Sequence, residues 1–363
     1  MEPPRPAESP LERTARLLRQ QARACRALGS PLYACLLGHA AEDLLAGGPT
    51  ADVLDGHLTD RGPSVLALRM LGGAHALALS GAAPELAGFY PSAGGTADPG
   101  PGGAYAWQAL RRTLGGHRDV VREWLGRPPQ TNEVGRAAAL LGGLRHAAAE
   151  AALPVRLVEA GASAGLNLRA DSFHIAGDAG GYGDPSSPVV LRGAWQGQPP
   201  PAARLEVTGR TGGDADPIDA TTPEGRLRLT AYVWPDQADR LTRLRGGLAL
   251  AAALPADLRR ESVAATVART TLADGSWTVL WHSVVRQYLD PGERAALAQR
   301  VSALGAAATP SARFAYLHLE PSTDRGFLVT LTTWPGGRER VLGTAAAHGI
   351  PVIWAPHRAA PAE

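Results

Sequence analysis

The stretch Leu157-Val158-Glu159-Ala160-Gly161-Ala162-Ser163-Ala164-Gly165-Leu166-Asn167-Leu168 decides the fold. It continues the short run Pro154-Val155-Arg156-Leu157-Val158-Glu159, whose β-branched and aliphatic residues suit a buried, pleated surface. The run stops at a turn made only of Gly, Ala and Ser, and a helix is expected after it. A strand, a tight turn of small residues and a helix form the opening of an α/β unit.

Outward from this turn the sequence differs in character on its two sides. Upstream, Leu11, Ala15, Leu18, Ala22 and Cys25 recur at helical spacing while Arg13, Arg16, Arg19, Arg23 and Arg26 take the other faces, a solvated stripe. Gly29-Ser30-Pro31 ends that helix; others are expected over 32–46, 63–80 and 105–125, broken by Gly-Gly-Pro at 47–49 and a Gly- and Pro-rich loop at 93–103. No strand is read before residue 150, and an alanine-rich helix over 131–152 leads into the glycine strand. Downstream, strands at 205–208, 277–281, 313–319, 327–332 and 351–354 alternate with helices over 236–252 and 292–304. The turn Trp334-Pro335-Gly336-Gly337 makes 327–332 and the chain's return antiparallel neighbours. Residues 172–203, with Gly180-Gly181-Tyr182-Gly183, read as an insertion. The expected fold is α/β: a Rossmann-like, mostly parallel sheet over 129–363 with an antiparallel C-terminal strand pair, preceded by a helical N-terminal cap over 1–128.

Composition narrows the chemistry. The 363 residues are 45% apolar and 19% charged, and no apolar run approaches the ~18 residues of a membrane span. All 36 basic residues are arginine, which excludes Schiff-base lysines, lysine general bases and the lysine of a Walker-type loop. The net charge is +2 with arginine scattered along the chain, so neither nucleic acid nor membrane is expected as a partner. Cys25 and Cys35 lack zinc-type spacing, and no metal is expected. A reduced, cytoplasmic setting fits the cysteines, and MEPPRPAESP, polar and proline-rich, reads as a tail rather than a signal segment.

Two chemistries use such a turn. At a nucleotide or S-adenosylmethionine site, small residues let the ligand approach the backbone, and an acid at the strand end, here Glu159, meets its polar groups. In an α/β-hydrolase the same Gly-x-Ser-x-Gly letters expose a nucleophile, here Ser163, served by an acid such as Glu320 and by His348. That elbow follows several earlier strands, whereas this turn follows the first. Glycines that merely allow close helix packing, and a scaffold that binds a ligand without catalysis, are the competing readings. Beyond the strand at 205–208, Asp214, Asp216 and Asp219 compete as the carboxylate that holds a ribose. Asp214 is 55 residues beyond Glu159 rather than the usual ~20, an excess the insertion accounts for.

His282, the first polar residue after Trp277-Thr278-Val279-Leu280-Trp281, falls at the carboxyl edge of its strand and is the candidate general base, a structural histidine being the alternative. Arg286, Gln287 and Tyr288 follow closely enough to orient an acceptor. Asn132, Glu133 and Arg136 open the helix that enters the glycine strand, where ligand contact competes with capping. Phe89, Tyr90, Tyr105 and Trp107 line an acceptor pocket or pack in a core.

Glu159, Gly161, Ser163 and Gly165 resemble the acid-x-Gly-x-Gly-x-Gly motif of class I S-adenosylmethionine-dependent methyltransferases, with serine at the middle glycine. The resemblance covers roughly residues 130–355 and implies five parallel strands followed by an antiparallel pair. It implies S-adenosylmethionine as cofactor, held by Glu159, Gly161, Ser163 and Gly165, and methyl transfer to a small-molecule acceptor; from their places in the chain, Asn167, Asp214, Asn132 and Arg136 are further candidates for the cofactor, and His282, Arg286 and Tyr288 for the acceptor. Over nearly the whole chain, Gln130-Thr131-Asn132-Glu133-Val134-Gly135-Arg136, Trp234-Pro235-Asp236-Gln237 and Trp281-His282-Ser283-Val284-Val285-Arg286-Gln287-Tyr288-Leu289 resemble a bacterial family of unknown function. That likeness implies no activity, and the sequence leaves the oligomeric state and the acceptor open.

Overall fold

The computed structural model describes residues 8–60, 65–127, 129–177 and 181–355. Residues 1–7 of the expected tail and Gly180 of the expected insertion lie outside them. The chain divides into two compact units, Met1–Thr131 with Pro223–Leu241, and Asn132–Thr222 with Thr242–Glu363.

The first unit is helical. Ser9 opens α1 (Pro10–Ala27) with a capping box: its hydroxyl accepts from the Glu12 amide, and the Glu12 carboxylate accepts from the Ser9 amide, satisfying donors that a helix start leaves orphaned. Ala15, Leu18, Ala22 and Cys25 are buried as their spacing predicts, and Leu11 in part. α2 (Pro31–Leu45), α3 (Pro49–Leu54), α4 (Leu66–Leu79), α5 (Pro84–Ala87), α6 (Ala104–Gly116) and α7 (Arg118–Leu125) follow. The one helix expected over 105–125 is two, because His117 leaves helical geometry (φ −127°, ψ 32°) just after Gly115-Gly116, where helix propensity is low. α9 (Pro223–Ala231) packs on α4, and a Cβ on Gly72 would lie 2.8 Å from the Tyr232 ring, so only glycine allows that approach. Tyr90 and Trp107 belong to this core, whereas Tyr105 is 63% exposed.

The second unit is built on β1 (Val155–Ala160), β2 (His174–Ala176), β3 (Val190–Arg192), β4 (Trp195–Gly197), β5 (Val207–Asp214), β6 (Asp257–Arg260), β7 (Ser276–Ser283), β8 (Ala312–Ser322), β9 (Gly326–Trp334), β10 (Arg338–Ala345) and β11 (Val352–Trp354). All but β2 and β3 form a nine-stranded sheet in the order β4-β11-β10-β9-β8-β7-β1-β5-β6. β6, β5, β1, β7 and β8 are parallel, and β8–β9, β9–β10 and β10–β11 are antiparallel. β11 pairs with β4 in parallel, so the sheet is mostly parallel, with an antiparallel run toward its C-terminal end. α8 (Ala137–Glu150) packs on one face, where Gly143 lets Leu317 approach. α11 (Val263–Arg269) and α12 (Pro291–Ala307) cover the other, around Val158, Leu280 and Phe314. α10 runs over Ala238–Ala253, its first residues assigned to the first unit and the rest to the second. Among the described residues no helix is long and apolar enough to cross a membrane.

Several elements depart from expectation. The segment after the glycine turn is a 3-10 helix, Leu166–Ser172, with Arg169 outside helical geometry, not an α-helix. The strand expected at 205–208 is Val207–Asp214; it contains Gly209, Gly212 and Gly213, which mask it in the sequence, and Asp214 is its last residue. The return after Trp334–Gly337 does pair antiparallel with β9, as β10, but β8 and β9 are also antiparallel, and β11 pairs with β10. The segment read as an insertion supplies β2 and β3, which pair in parallel, and the edge strand β4.

Candidate functional site

Chain order reverses at β1: β5 and β6 extend the sheet on one side, and β7 returns on the other. In open α/β sheets the crevice beyond the carboxyl ends of the strands at this switch point is where ligands bind. The glycine turn ends β1 there. Gly161 (φ 73°), Ser163 (φ 53°) and Gly165 (φ 65°) are all left-handed, so the middle position of the motif holds serine in a conformation that glycine adopts without strain.

The turn is fastened to β5. Gly161 and Ala162 amides donate to the Gly213 carbonyl, and the Ser163 amide donates to Asp214 Oδ2 at 2.8 Å. Asp214 Oδ1 accepts from the Asp216 amide at 2.9 Å, and Asp216 pairs with Arg260 at 3.0 Å. Asp214 therefore braces the turn, and Asp219 is the acid of the three that lines a neighbouring cleft. That cleft, about 640 Å³, is walled by Ala164, Arg169, Ile218, Ala252 and Leu258.

The polar opening of the helix before β1 is also brought to the turn. Asn132 Oδ1 accepts from the Leu166 amide at 2.8 Å, and Asn167 Nδ2 donates to the Glu133 carbonyl at 3.3 Å. Arg136 Nη1 reaches the Ser283 carbonyl at 3.5 Å. These side chains hold backbone together around the turn.

Glu159 is 2% exposed, and its Oε1 accepts from the Trp281 indole N–H at 3.1 Å. Burial pushes its carboxyl up to about 8 against the pull of that N–H, so the group is largely neutral at pH 7. Its Oε2 and the Ser163 hydroxyl are buried and make no hydrogen bond among the described residues.

The neighbouring edge is organised around His282, fully buried with both ring nitrogens engaged. Nδ1 lies 2.7 Å from Glu320 Oε1 and Nε2 lies 2.7 Å from the Tyr316 hydroxyl. Glu320 Oε1 also accepts from the Val285 and Arg286 amides at 2.9 and 3.3 Å. Burial raises the Glu320 carboxyl, but His282 and these amides outweigh it and hold it below its usual value. His318 stacks on His282 at 5.4 Å, and burial together with His282 and Arg286 pushes its imidazole down to about 3. Arg286 is exposed, within electrostatic reach of Tyr316 and His318, while Tyr288, 58% exposed, stands apart from this cluster. Val285 bridges the two halves, since its side chain would lie 2.6 Å from a Cβ on Gly161.

Glu320 is thus the partner of His282, and His348 lies beside Gly135, where its carbonyl would be 2.4 Å from a Cβ. Sequence reading missed Tyr316 and His318. The signal was Phe314-Ala315-Tyr316-Leu317-His318-Leu319-Glu320, whose period of two puts Tyr316, His318 and Glu320 on one face.

No curated protein and no solved structure matches the chain. The family model that does match covers residues 15–354, nearly the whole chain, and the protein belongs to that family, described as "Uncharacterized protein conserved in bacteria (DUF2332)".

Proposed function

We propose that the glycine turn and the cleft beside it hold S-adenosylmethionine and that the protein transfers its methyl group to a small-molecule acceptor. The observation that carries this reading is the turn itself: three left-handed positions at the switch point, with Glu159 Oε2 and the Ser163 hydroxyl buried and unpaired beside it. Polar atoms in that state cost stability unless something satisfies them. The residues fit the group: Glu159 and Ser163 offer polar partners, Asp219 offers a carboxylate at the cleft edge, and Ala164, Ile218 and Leu258 give a flat heterocycle an apolar wall. When bound, the sulfonium supplies an electrophilic methyl group. The chain's contribution is to orient cofactor and acceptor and to exclude water.

Calorimetry with S-adenosylmethionine and with its demethylated product tests this directly. Binding is expected in the ~1 μM to 1 mM range usual for enzyme ligands. Ala252→Trp, at an exposed position lining the cleft, should weaken binding at least tenfold with an unchanged melting temperature. Absence of heat from folded protein at high concentration would overturn the cofactor assignment. Unweakened binding by Ala252→Trp would move the site out of the cleft.

A further inference from the structure

We infer that Tyr316 is the substrate-facing end of a proton relay running through His282 to Glu320, and that it serves a small molecule whose neutral hydroxyl or amine must lose a proton. The inference extends beyond the cofactor reading and does not depend on it.

Donor and acceptor roles follow from the bonds. Glu320 Oε1 takes two backbone amides, from Val285 and Arg286, so it is an acceptor, and His282 Nδ1–H donates to it. The neutral imidazole then has its lone pair on Nε2, and the Tyr316 O–H at 2.7 Å donates to that nitrogen. The phenolic proton is already aimed at a base, leaving the oxygen's lone pairs for a proton arriving from elsewhere. His282 is 0% exposed and cannot meet a substrate, whereas Tyr316 is half-buried.

The step balances. A substrate O–H or N–H proton passes to Tyr316 Oη while the phenolic proton passes to His282 Nε2. Tyrosine ends neutral as it began, and the imidazolium that forms is matched by the Glu320 carboxylate, the logic by which a buried acid supports a histidine base. The charged and titratable groups facing this chain are Glu320 and His318 on β8, Arg286 on the loop after β7 and Glu339 on β10. His318 is neutral, so it stacks on His282 without adding a competing positive charge. Val284 has φ 56°, a conformation rare for a β-branched residue and concentrated at functional sites, and it is held there by its amide bond to the Leu319 carbonyl and by the grip of Glu320 on the next two amides.

The test treats the full chain, without cofactor, with phenylmethanesulfonyl fluoride and follows each tyrosine by peptide mass spectrometry. In the labelling step the Oη–S bond forms, the S–F bond breaks, fluoride leaves and the phenolic proton goes to His282. Tyr105 and Tyr288, 63% and 58% exposed, are internal standards. Tyr316 should react at least tenfold faster than either near pH 7.5. His282→Asn should bring Tyr316 down to the standards, and Glu320→Gln should lower it by a smaller factor. A Tyr316 rate no faster than Tyr105 and Tyr288, or a fast rate that survives His282→Asn, overturns the inference. If His282→Asn does not fold, the wild-type rate ratio still decides it. Loss of the cofactor reading by calorimetry leaves this result untouched.

Discussion

His75 in the helical unit and His282 in the sheet unit are both completely buried with both ring nitrogens engaged, yet their partners differ in charge. His75 Nδ1 meets the Ala231 carbonyl at 3.0 Å and Nε2 meets the Ser92 hydroxyl at 2.6 Å. Since a carbonyl only accepts, Nδ1 carries the proton and Ser92 donates to Nε2, the arrangement of a nucleophile and its base. The partner behind His75 is a neutral carbonyl, however, and burial pushes its imidazole down to about 4. His282 has the Glu320 carboxylate behind it. The same donor–acceptor pattern is thus structural in one unit and suited to proton transfer in the other, because only a counter-charge lets a buried imidazole accept a proton at modest cost.

The largest test of this contrast is the removal of that counter-charge. Glu320→Ala strips His282, Val285 and Arg286 of a shared buried acceptor, and should destabilise the protein by about 3–5 kcal/mol, since each buried donor left without an acceptor costs about 1–3 kcal/mol. Ser92→Ala leaves one neutral nitrogen unsatisfied and should cost about 1–3 kcal/mol. Urea unfolding midpoints of both variants measure the difference. Equal costs would mean that the shared Glu320 acceptor supports its three donors no better than Ser92 supports His75.

How far each histidine was legible in the sequence follows from the same distinction. Position was readable: the apolar run 277–281 places His282 at a strand's carboxyl edge, and the helical spacing of Ala15, Leu18, Ala22 and Cys25 gives the buried face of α1. Partnership was not, because it depends on register. Tyr316 and Glu320 reach His282 only because β8 lies parallel to β7 with His318 opposite His282, which no local pattern encodes. The glycine turn was recognisable from its letters, but the role of Asp214 was not. Gly209, Gly212 and Gly213 disguised the end of β5 and so concealed that its last carboxylate bonds back to Ser163. The segment expected as a helix after the turn is a short 3-10 helix in which Arg169 leaves helical geometry and its guanidinium donates to the Gly165 carbonyl.

A smaller effect separates the two histidines by pH. The His75 imidazole lies at about 4 when folded against an ordinary value of 6.5. Between those values the unfolded chain binds more protons than the folded one, so the stability linked to His75 is complete above pH 6.5 and is lost as pH falls through about 4. Hydrogen exchange at the α4 amides, corrected for intrinsic rates, should show protection falling over that window, and His75→Gln should flatten the fall. An unchanged acid limb in His75→Gln would show that the neutral partners of His75 are not what sets its behaviour.

The smallest expected effect concerns the strain that the sheet edge tolerates. Ser163 is left-handed between two left-handed glycines, and its hydroxyl is buried without a hydrogen bond. Releasing a non-glycine residue from that conformation gains about 1–2 kcal/mol, while the extra freedom glycine gives the unfolded chain takes back about 0.5–1 kcal/mol. Ser163→Gly should therefore stabilise the protein by up to about 1.5 kcal/mol, a rise of a few degrees at most in melting temperature for a chain of this size. Gly161→Ala and Gly165→Ala should move the other way, Gly161→Ala the further, because its new Cβ meets Val285 at 2.6 Å whereas the nearest atom to one on Gly165 is Leu168 Cδ1 at 3.1 Å. If Ser163→Gly instead destabilises the fold, the serine hydroxyl has a partner in solution that outweighs the strain. The same variant would then be expected to weaken binding of whatever ligand supplies that partner, which calorimetry on Ser163→Gly would reveal.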